Sequence, residues 1–407
     1  MFTKVFQPAA SKTTDVDIPA VVARAVAALG KVGALTLLVN DPQRATDSGA
    51  ILRALPEHVD PARIRILVAT GSHKFPVSDQ AAFERSLLDG LSVEQVQWHD
   101  GGSASLRPVA GAWRVHPWLL DERPLLAVGS VEPHYFAGFT GAHKTATIGC
   151  AAVEDITANH RHAVSPRCRP CRIDDNPVHE GIAGMLAALT ELRPVQAINL
   201  VQVGRTIADA QTGSPLEALP LAAPAAMNAF CCQAPKLADA IVAQVEGPLG
   251  VSLYQADKGI KNTEWALREG GALILEAPCP KGIGQHQFTN VLKRAASYDE
   301  ACAVVEKDGY RLGDHKALRL RYLTDRKYRN VRLMIVSPGL TDEDAALLGA
   351  TRYACVGDAL KAAGVDASRN TAYCVKDAGN VCLVVAFGEV TSTNVTNCTN
   401  GRNGIME

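Results

Sequence analysis

No apolar run in the 407 residues reaches the roughly 18 that a membrane-crossing helix needs. The opening stretch, MFTKVFQPAASKTT, has no hydrophobic signal core. Neither charge is in excess. The 41 basic and 42 acidic side chains give a formal net charge of −1, and no basic stripe or basic amphipathic segment marks a nucleic-acid or membrane-surface partner. From these absences we expect a cytoplasmic protein that binds neither nucleic acid nor membrane. Low-complexity segments and clear internal repeats are missing too. So are the glycine-rich dinucleotide fingerprint and the P-loop lysine motif, which counts against a conventional nicotinamide dehydrogenase. No carboxylate cluster suggests a site for catalytic Mg²⁺.

Cysteine is present but arranged for nothing obvious. There are 11, an odd number, in a chain too large to be a disulfide scaffold, so most are expected to be free and buried. Cys168-Arg-Pro-Cys171 is a lone CxxC with no second pair at zinc-ribbon spacing, and Cys231 and Cys232 are adjacent. His162 and His179 are the nearby residues that would support a metal. The default reading is adventitious spacing.

What is there suggests two domains, since single cores rarely grow past about 250–300 residues. Apolar content of 47% is ample for large cores. Short apolar runs at 34–39, 64–69, 93–98, 124–128, 195–201, 240–245, 272–276, 331–336 and 381–387 read as strands. Between them lie helical patterns at 17–28, 48–55, 78–88, 178–192, 224–230 and 342–348. This alternation predicts an α/β protein with mostly parallel sheets and an active-site cleft between two α/β domains. The boundaries expected are 1–233, 234–390 and a polar tail at 391–407. Asn199 is expected to be exposed on its strand.

The chain centres on Val128 to His160, VGSVEPHYFAGFTGAHKTATIGCAAVEDITANH. A small-residue run containing Gly138 and Gly141 separates His134 from Lys144, and His160 follows. Glycine lets a backbone approach a ligand closely, and successive N–H groups in such a loop can cradle an anion. A phosphate, metal or carbonyl site and a buried turn with satisfied histidines are both compatible with these residues. Two earlier loops follow strands in the same way. One carries Asp41 and Arg44, the other His73. Ligands of α/β sheets bind at the carboxyl ends of strands. In the second half, Tyr254, Gln255 and Lys258 fall within one helical turn, with Gln255 and Lys258 on one face.

PHYFAGFTGAHK followed by TANH resembles the active-site signature of the nickel-dependent lactate racemase family, the 2-hydroxyacid racemases and epimerases. His134, Lys144 ten residues on and His160 sixteen further reproduce the family spacing. Asp41 and Arg44, His73, and Tyr254, Gln255 and Lys258 match other family positions. Gln43, Ala45 and Ser72 depart from the usual neighbours, and no tryptophan matches the one in the family's second domain. The resemblance implies a nickel-pincer nucleotide, nickel pyridinium-3,5-bisthiocarboxylic acid mononucleotide, delivered by cofactor-biosynthesis proteins. It implies His73 and His134 as the two catalytic bases and His160 as the nickel ligand. Lys144, with Asp41, Gly138 and Gly141, would hold the cofactor. Arg44, Tyr254, Gln255 and Lys258 would bind a 2-hydroxy acid. Such an isomerase would work by reversible hydride transfer, with a base removing the hydroxyl proton. Two competing readings are a zinc-dependent hydrolase using His73, His134 and His160 as a three-histidine site, and a non-catalytic cofactor-binding paralogue.

Overall fold

The structure is a computed structural model that describes residues 2–8, 15–109, 113–284, 286–366 and 368–385, with backbone alone at 286–288. Two six-stranded sheets organise it, each flanked by helices, in the expected two-domain α/β arrangement. The first sheet runs Thr206–Gly213, Val195–Val203, Leu125–Ser130, Leu35–Asn40, Ile64–Ala69, Gln95–Trp98. All its pairings are parallel except that of Thr206–Gly213 with Val195–Val203. Strands Ile64–Ala69 and Leu125–Ser130 are buried along their whole length. Helices on both faces account for this, and for runs that are continuously apolar rather than alternating.

The order reverses between Leu35–Asn40 and Leu125–Ser130. From the former the chain proceeds to one edge of the sheet, then crosses to the latter and fills the other side. A crevice forms outside the carboxyl ends of strands at such a switch point. The loops bearing Asp41, His73 and His134 follow three adjacent strands around it.

The second sheet is wholly parallel, in the order Lys4–Phe6, Ala372–Val375, Ala238–Gln244, Leu267–Glu276, Arg332–Val336, Ala350–Tyr353. Its edge strand corrects the expected division at 233. Lys4–Phe6 pairs with Ala372–Val375, and Phe6 is buried edge-on against Tyr373, so the first residues of the chain belong to the second sheet. Where the chain passes from the first sheet to the second, Cys231–Ala234 pairs in parallel with Cys382–Val385, the last described strand.

Several other expectations change. The helix expected to start at Pro224 spans Pro215–Phe230, with Pro220 and Pro224 inside it. Each proline removes a backbone donor, but Ala218, Leu219, Ala222 and Ala226 keep a buried helical stripe running past both, and that packing prevails over local propensity. Asn199 is fully buried, not exposed. The last strand is Cys382–Val385; Phe387 and the tail lie outside the described residues. Among the described residues no helix is long and apolar enough to cross a membrane.

Candidate active site

A cavity of about 480 Å³ opens at the switch point of the first sheet, and the second domain supplies part of its wall. Asp41, Arg44, His73, His134, Gly141, Lys144, His160 and Tyr254 line it. Gly138, Gln255 and Lys258 do not. Arg44, Lys144 and Lys316 face a single carboxylate, Asp41, across the wall, so the cavity suits an anionic ligand.

His73 closes a turn by donating its backbone N–H to the Thr70 carbonyl, and its Nδ1 lies 2.8 Å from Oδ2 of Asp41. Asp41 is almost fully buried, and its other oxygen accepts the Gln43 N–H. A carboxylate can only accept, so Nδ1 of His73 carries the proton and Nε2 is left bare. Asp41, expected among the cofactor contacts, therefore orients a histidine.

His134 is held differently. Its Nδ1 accepts the Ala137 N–H at 3.2 Å, and its ring stacks on Tyr135 and meets Phe136 edge-on. The neutral ring therefore carries its proton on Nε2. Burial, reinforced by the Lys144 and Arg44 charges, pushes its pKa well below the ordinary histidine value. The two rings present opposite faces of the same chemistry, an acceptor on His73 and a donor on His134.

The loop after His134 depends on its glycines. Gly138 has φ +77°, and a Cβ there would lie 2.3 Å from the Arg172 carbonyl oxygen. Gly141 has φ +145° and approaches Asn199, whose Oδ1 accepts the Ala142 N–H at 2.8 Å. Asn199 thus fixes the start of the short helix Ala142–Thr145 that carries Lys144. Gly138 shapes the loop from behind and is not part of the cavity wall.

Burial, and then Arg44, depress the Lys144 pKa to about 7. Its ammonium also sits 5.7 Å from the centre of the Phe136 ring. An amine that is half neutral at pH 7 is a competent nucleophile toward a thiocarboxyl carbon. Trace acylation read by mass spectrometry should label Lys144 with a midpoint near pH 7, against about 10.4 for an ordinary lysine. Arg44→Ala should move that midpoint up, because losing a neighbouring positive charge favours the ammonium. A native midpoint near 10 would refute the depressed amine.

His160 ends the helix Val153–His160, with its Nδ1 3.1 Å from Oδ1 of Asn159. Asn159 in turn donates Nδ2–H to the Val178 carbonyl at 3.0 Å, which fixes the direction of its amide. His160 therefore donates from Nδ1 and keeps Nε2 as a lone pair, the form that binds a metal. Burial and Lys144 lower its pKa to about 3, so no proton competes for that nitrogen near neutral pH. The donor set fits the implied cofactor: one bare imidazole, oriented by Asn159, for nickel and one amine with a depressed pKa.

The second domain reaches the cavity through two helices. Leu253–Thr263 brings Tyr254 to the wall. Lys258 stays exposed at the rim, yet burial and Arg44 lower its pKa, and its charge is felt by His134. Gln255 is half-buried and off the cavity wall. The loop at 278–284 supports this helix: the Tyr254 N–H donates to the Ile283 carbonyl.

The other helix, Asp314–Thr324, was not foreseen from sequence, and it supplies His315 and Lys316. His315 sits between two phenols, with Tyr135 Oη 2.8 Å from Nε2 and Tyr310 Oη 2.6 Å from Nδ1. Lys316 donates to the Tyr254 carbonyl at 2.8 Å, and its pKa falls to about 8 through burial. Arg319 donates to the Tyr135 carbonyl at 2.8 Å and to Glu264 at 2.9 Å. Tyr135, His315 and Arg319 thus join the His134 loop to the second domain. Their only sequence signal is His315, Lys316 and Arg319 at i, i+1 and i+4.

His73, His134 and His160 do not converge as a zinc site. Among the described residues the only group of three or more ligand atoms within 4.8 Å of one another is a cysteine trio elsewhere. The structure therefore does not favour the three-histidine hydrolase.

Known proteins resemble the chain in sequence and in fold. Residues 111–169 match the lactate racemase N-terminal domain and residues 234–311 the lactate racemase C-terminal domain. A lactate racemase of Thermoanaerobacterium thermosaccharolyticum is 27% identical over 277 residues, 64% of this chain and 63% of that protein. A lactate racemase of Lactiplantibacillus plantarum is 27% identical over 252 residues, 58% of this chain and 57% of that protein. The matches thus span somewhat under two thirds of those relatives. The fold is that of the lactate racemase apoprotein structure from T. thermosaccharolyticum, with a TM-score of 0.78 at 22% identity over 94% of this chain and 95% of that one. A Thermotoga maritima protein has a TM-score of 0.65 at 15% identity, over 92% of this chain and 99% of its own.

Proposed function

We propose that the chain is a lactate racemase-like isomerase that interconverts the enantiomers or epimers of a 2-hydroxy acid with a nickel-pincer nucleotide, a reading supported by the two domain matches and the two lactate racemase relatives. One observation carries the proposal. His73, His134 and His160 line the same cationic cavity, and each has its Nδ1 committed to a different partner. His160 and Lys144 would hold the cofactor, through the metal and through a thiocarboxyl arm respectively. When bound, that group supplies a reversible acceptor for the C2 hydrogen as hydride.

The proton falls to the chain. One ring takes the hydroxyl proton of one enantiomer, leaving a planar 2-keto acid without handedness at C2. The other ring serves the proton of the opposite enantiomer. In the neutral state His73 is the acceptor, and Asp41 stabilises the imidazolium formed when it takes a proton. His134, kept neutral by burial and the surrounding cations, begins as a hydrogen-bond donor. Arg44 and Lys316, with Lys258 at the rim, offer cations to the substrate carboxylate or to a phosphate. The second domain lies over the cavity and excludes water from the keto acid. On this reading the protein works in the cytoplasm and receives its cofactor from biosynthetic partners.

Co-expression with cofactor-making enzymes, followed by a screen of both enantiomers of lactate, malate, phenyllactate, hydroxyglutarate and sugar acids, tests the proposal. Bound nickel, a chromophore and interconversion of one pair are expected. Zinc that is lost in His160→Ala, with no chromophore and no turnover, would overturn it. A chromophore with no turnover on any acid would identify the non-catalytic paralogue.

A further inference from the structure

All ten described cysteines are free, and five of them, Cys150, Cys168, Cys279, Cys374 and Cys382, are buried. Three come together outside the cavity. The sulfurs of Cys171, Cys231 and Cys382 lie within 4.8 Å of one another, with Cys171 and Cys231 Sγ 3.5 Å apart. That spacing is a non-bonded contact, far beyond the ~2.05 Å of a disulfide. It is close to what a metal requires: thiolates at about 2.3 Å from zinc stand about 3.8–4.0 Å from each other, tetrahedral or trigonal.

The three residues come from separate parts of the chain. Cys171 belongs to a loop of the first domain and has φ +61°, a left-handed conformation costly to a side-chain-bearing residue. Cys231 and Cys382 face each other in register on the paired strands Cys231–Ala234, where the chain passes to the second domain, and Cys382–Val385. The CxxC spacing played no part in this. Cys168 turns away, donating to the carbonyl of His162 and to Oδ1 of Asn176, and Cys171 takes its partners from 60 and more residues along the chain. Cys171 and Cys231 are partly exposed, so a fourth position stays open to water.

We propose that Cys171, Cys231 and Cys382 form a structural site for a thiophilic divalent cation of the zinc type, which staples the domain junction. Binding converts three thiols to thiolates and releases three protons: Zn²⁺, three Cys–SH and one water give a tris-thiolate zinc aquo centre of net charge −1 and three H⁺. The staple also reaches the active site. The Cys171 N–H donates to the Gly138 carbonyl at 2.9 Å, and Arg172 next to it is the residue that leaves no room for a Cβ at Gly138. Fixing Cys171 therefore fixes the back of the His134–Lys144 loop.

The full chain, reduced and stripped of metal, should bind one equivalent of Zn²⁺ beyond any held at His160. With Co²⁺ as probe it should show a sulfur-to-cobalt charge-transfer band of three-thiolate intensity. His160→Ala should keep the band, Cys171→Ser should lose most of it, and Zn²⁺ should raise the melting temperature of the wild type but not of Cys171→Ser. The wild-type spectrum decides even if the variant misfolds. No charge-transfer band in the reduced wild type, an unchanged zinc count in Cys171→Ser, or recovery of a Cys171–Cys231 disulfide in place of the metal would overturn the proposal. The racemase reading can fail with this site intact, because His160 and the three thiols are scored separately.

Discussion

Replacing His73 by alanine should cut interconversion about 10²–10⁴-fold in both directions, the usual cost of losing a general base. Nickel content and cofactor absorbance should not change, because His73 is held by Asp41 and the Thr70 turn, and neither touches His160 or Lys144. Both directions suffer because the same ring accepts the proton in one and returns it in the other. Asp41→Asn should lose a substantial part of the same factor. An amide can present either a donor or an acceptor to Nδ1, so the tautomer with a bare Nε2 is no longer enforced. It also removes the negative charge that stabilises the imidazolium. The measurement is initial rates from each enantiomer separately, alongside metal analysis. Near-full activity of His73→Ala from either enantiomer would remove it as a base, and a parallel loss of nickel would make it a cofactor residue instead.

His160→Ala should abolish nickel retention, measured by metal analysis after dialysis, in a protein whose circular dichroism matches the wild type. The ring sits at a helix end and faces a cavity, so removing it leaves no void in a hydrophobic cluster. Asn159→Ala is the sharper test, because Asn159 would touch neither metal nor substrate. Its Oδ1 accepts the hydrogen bond from His160 Nδ1–H while its Nδ2 donates to the Val178 carbonyl. Losing such an outer partner typically weakens metal affinity about 10–100-fold. Wild-type nickel affinity in Asn159→Ala would show that His160 needs no orienting partner. Unchanged nickel in His160→Ala would assign the metal to other residues.

Much of the fold was legible because its signal is local. A buried parallel strand is a short, continuous apolar run, and Ile64–Ala69 and Leu125–Ser130 stand out as such. The motif residues were legible because they follow strand ends. Asp41, Arg44, His73 and His134 sit just past three strands, and the switch point that gathers them follows from how such sheets are wound.

Three features were not legible. The helix Asp314–Thr324 shows no amphipathic period, because charged and apolar residues alike are buried, nine of its eleven positions in all. A helix wedged between two domains has no solvent face to write its period into the sequence. Strand Lys4–Phe6 is too short to declare a partner, and the strand it pairs with lies over 360 positions away. The roles of polar side chains depend on what packs beside them. Asn199 reads as a surface residue yet holds the Lys144 helix, and Asp41 reads as a ligand contact yet sets the tautomer of His73.

By itself, then, the sequence determined the α/β class, the strand ends and the identity of the chemistry-bearing side chains, since each of these is set by residues within a few positions of one another. Only the tertiary structure decided which nitrogen of each histidine is free, which lysine loses its charge, which helix closes the cavity and which thiols meet. Hydrogen-bond partners, burial and neighbouring charge come from segments far apart in the chain, and no local pattern encodes them.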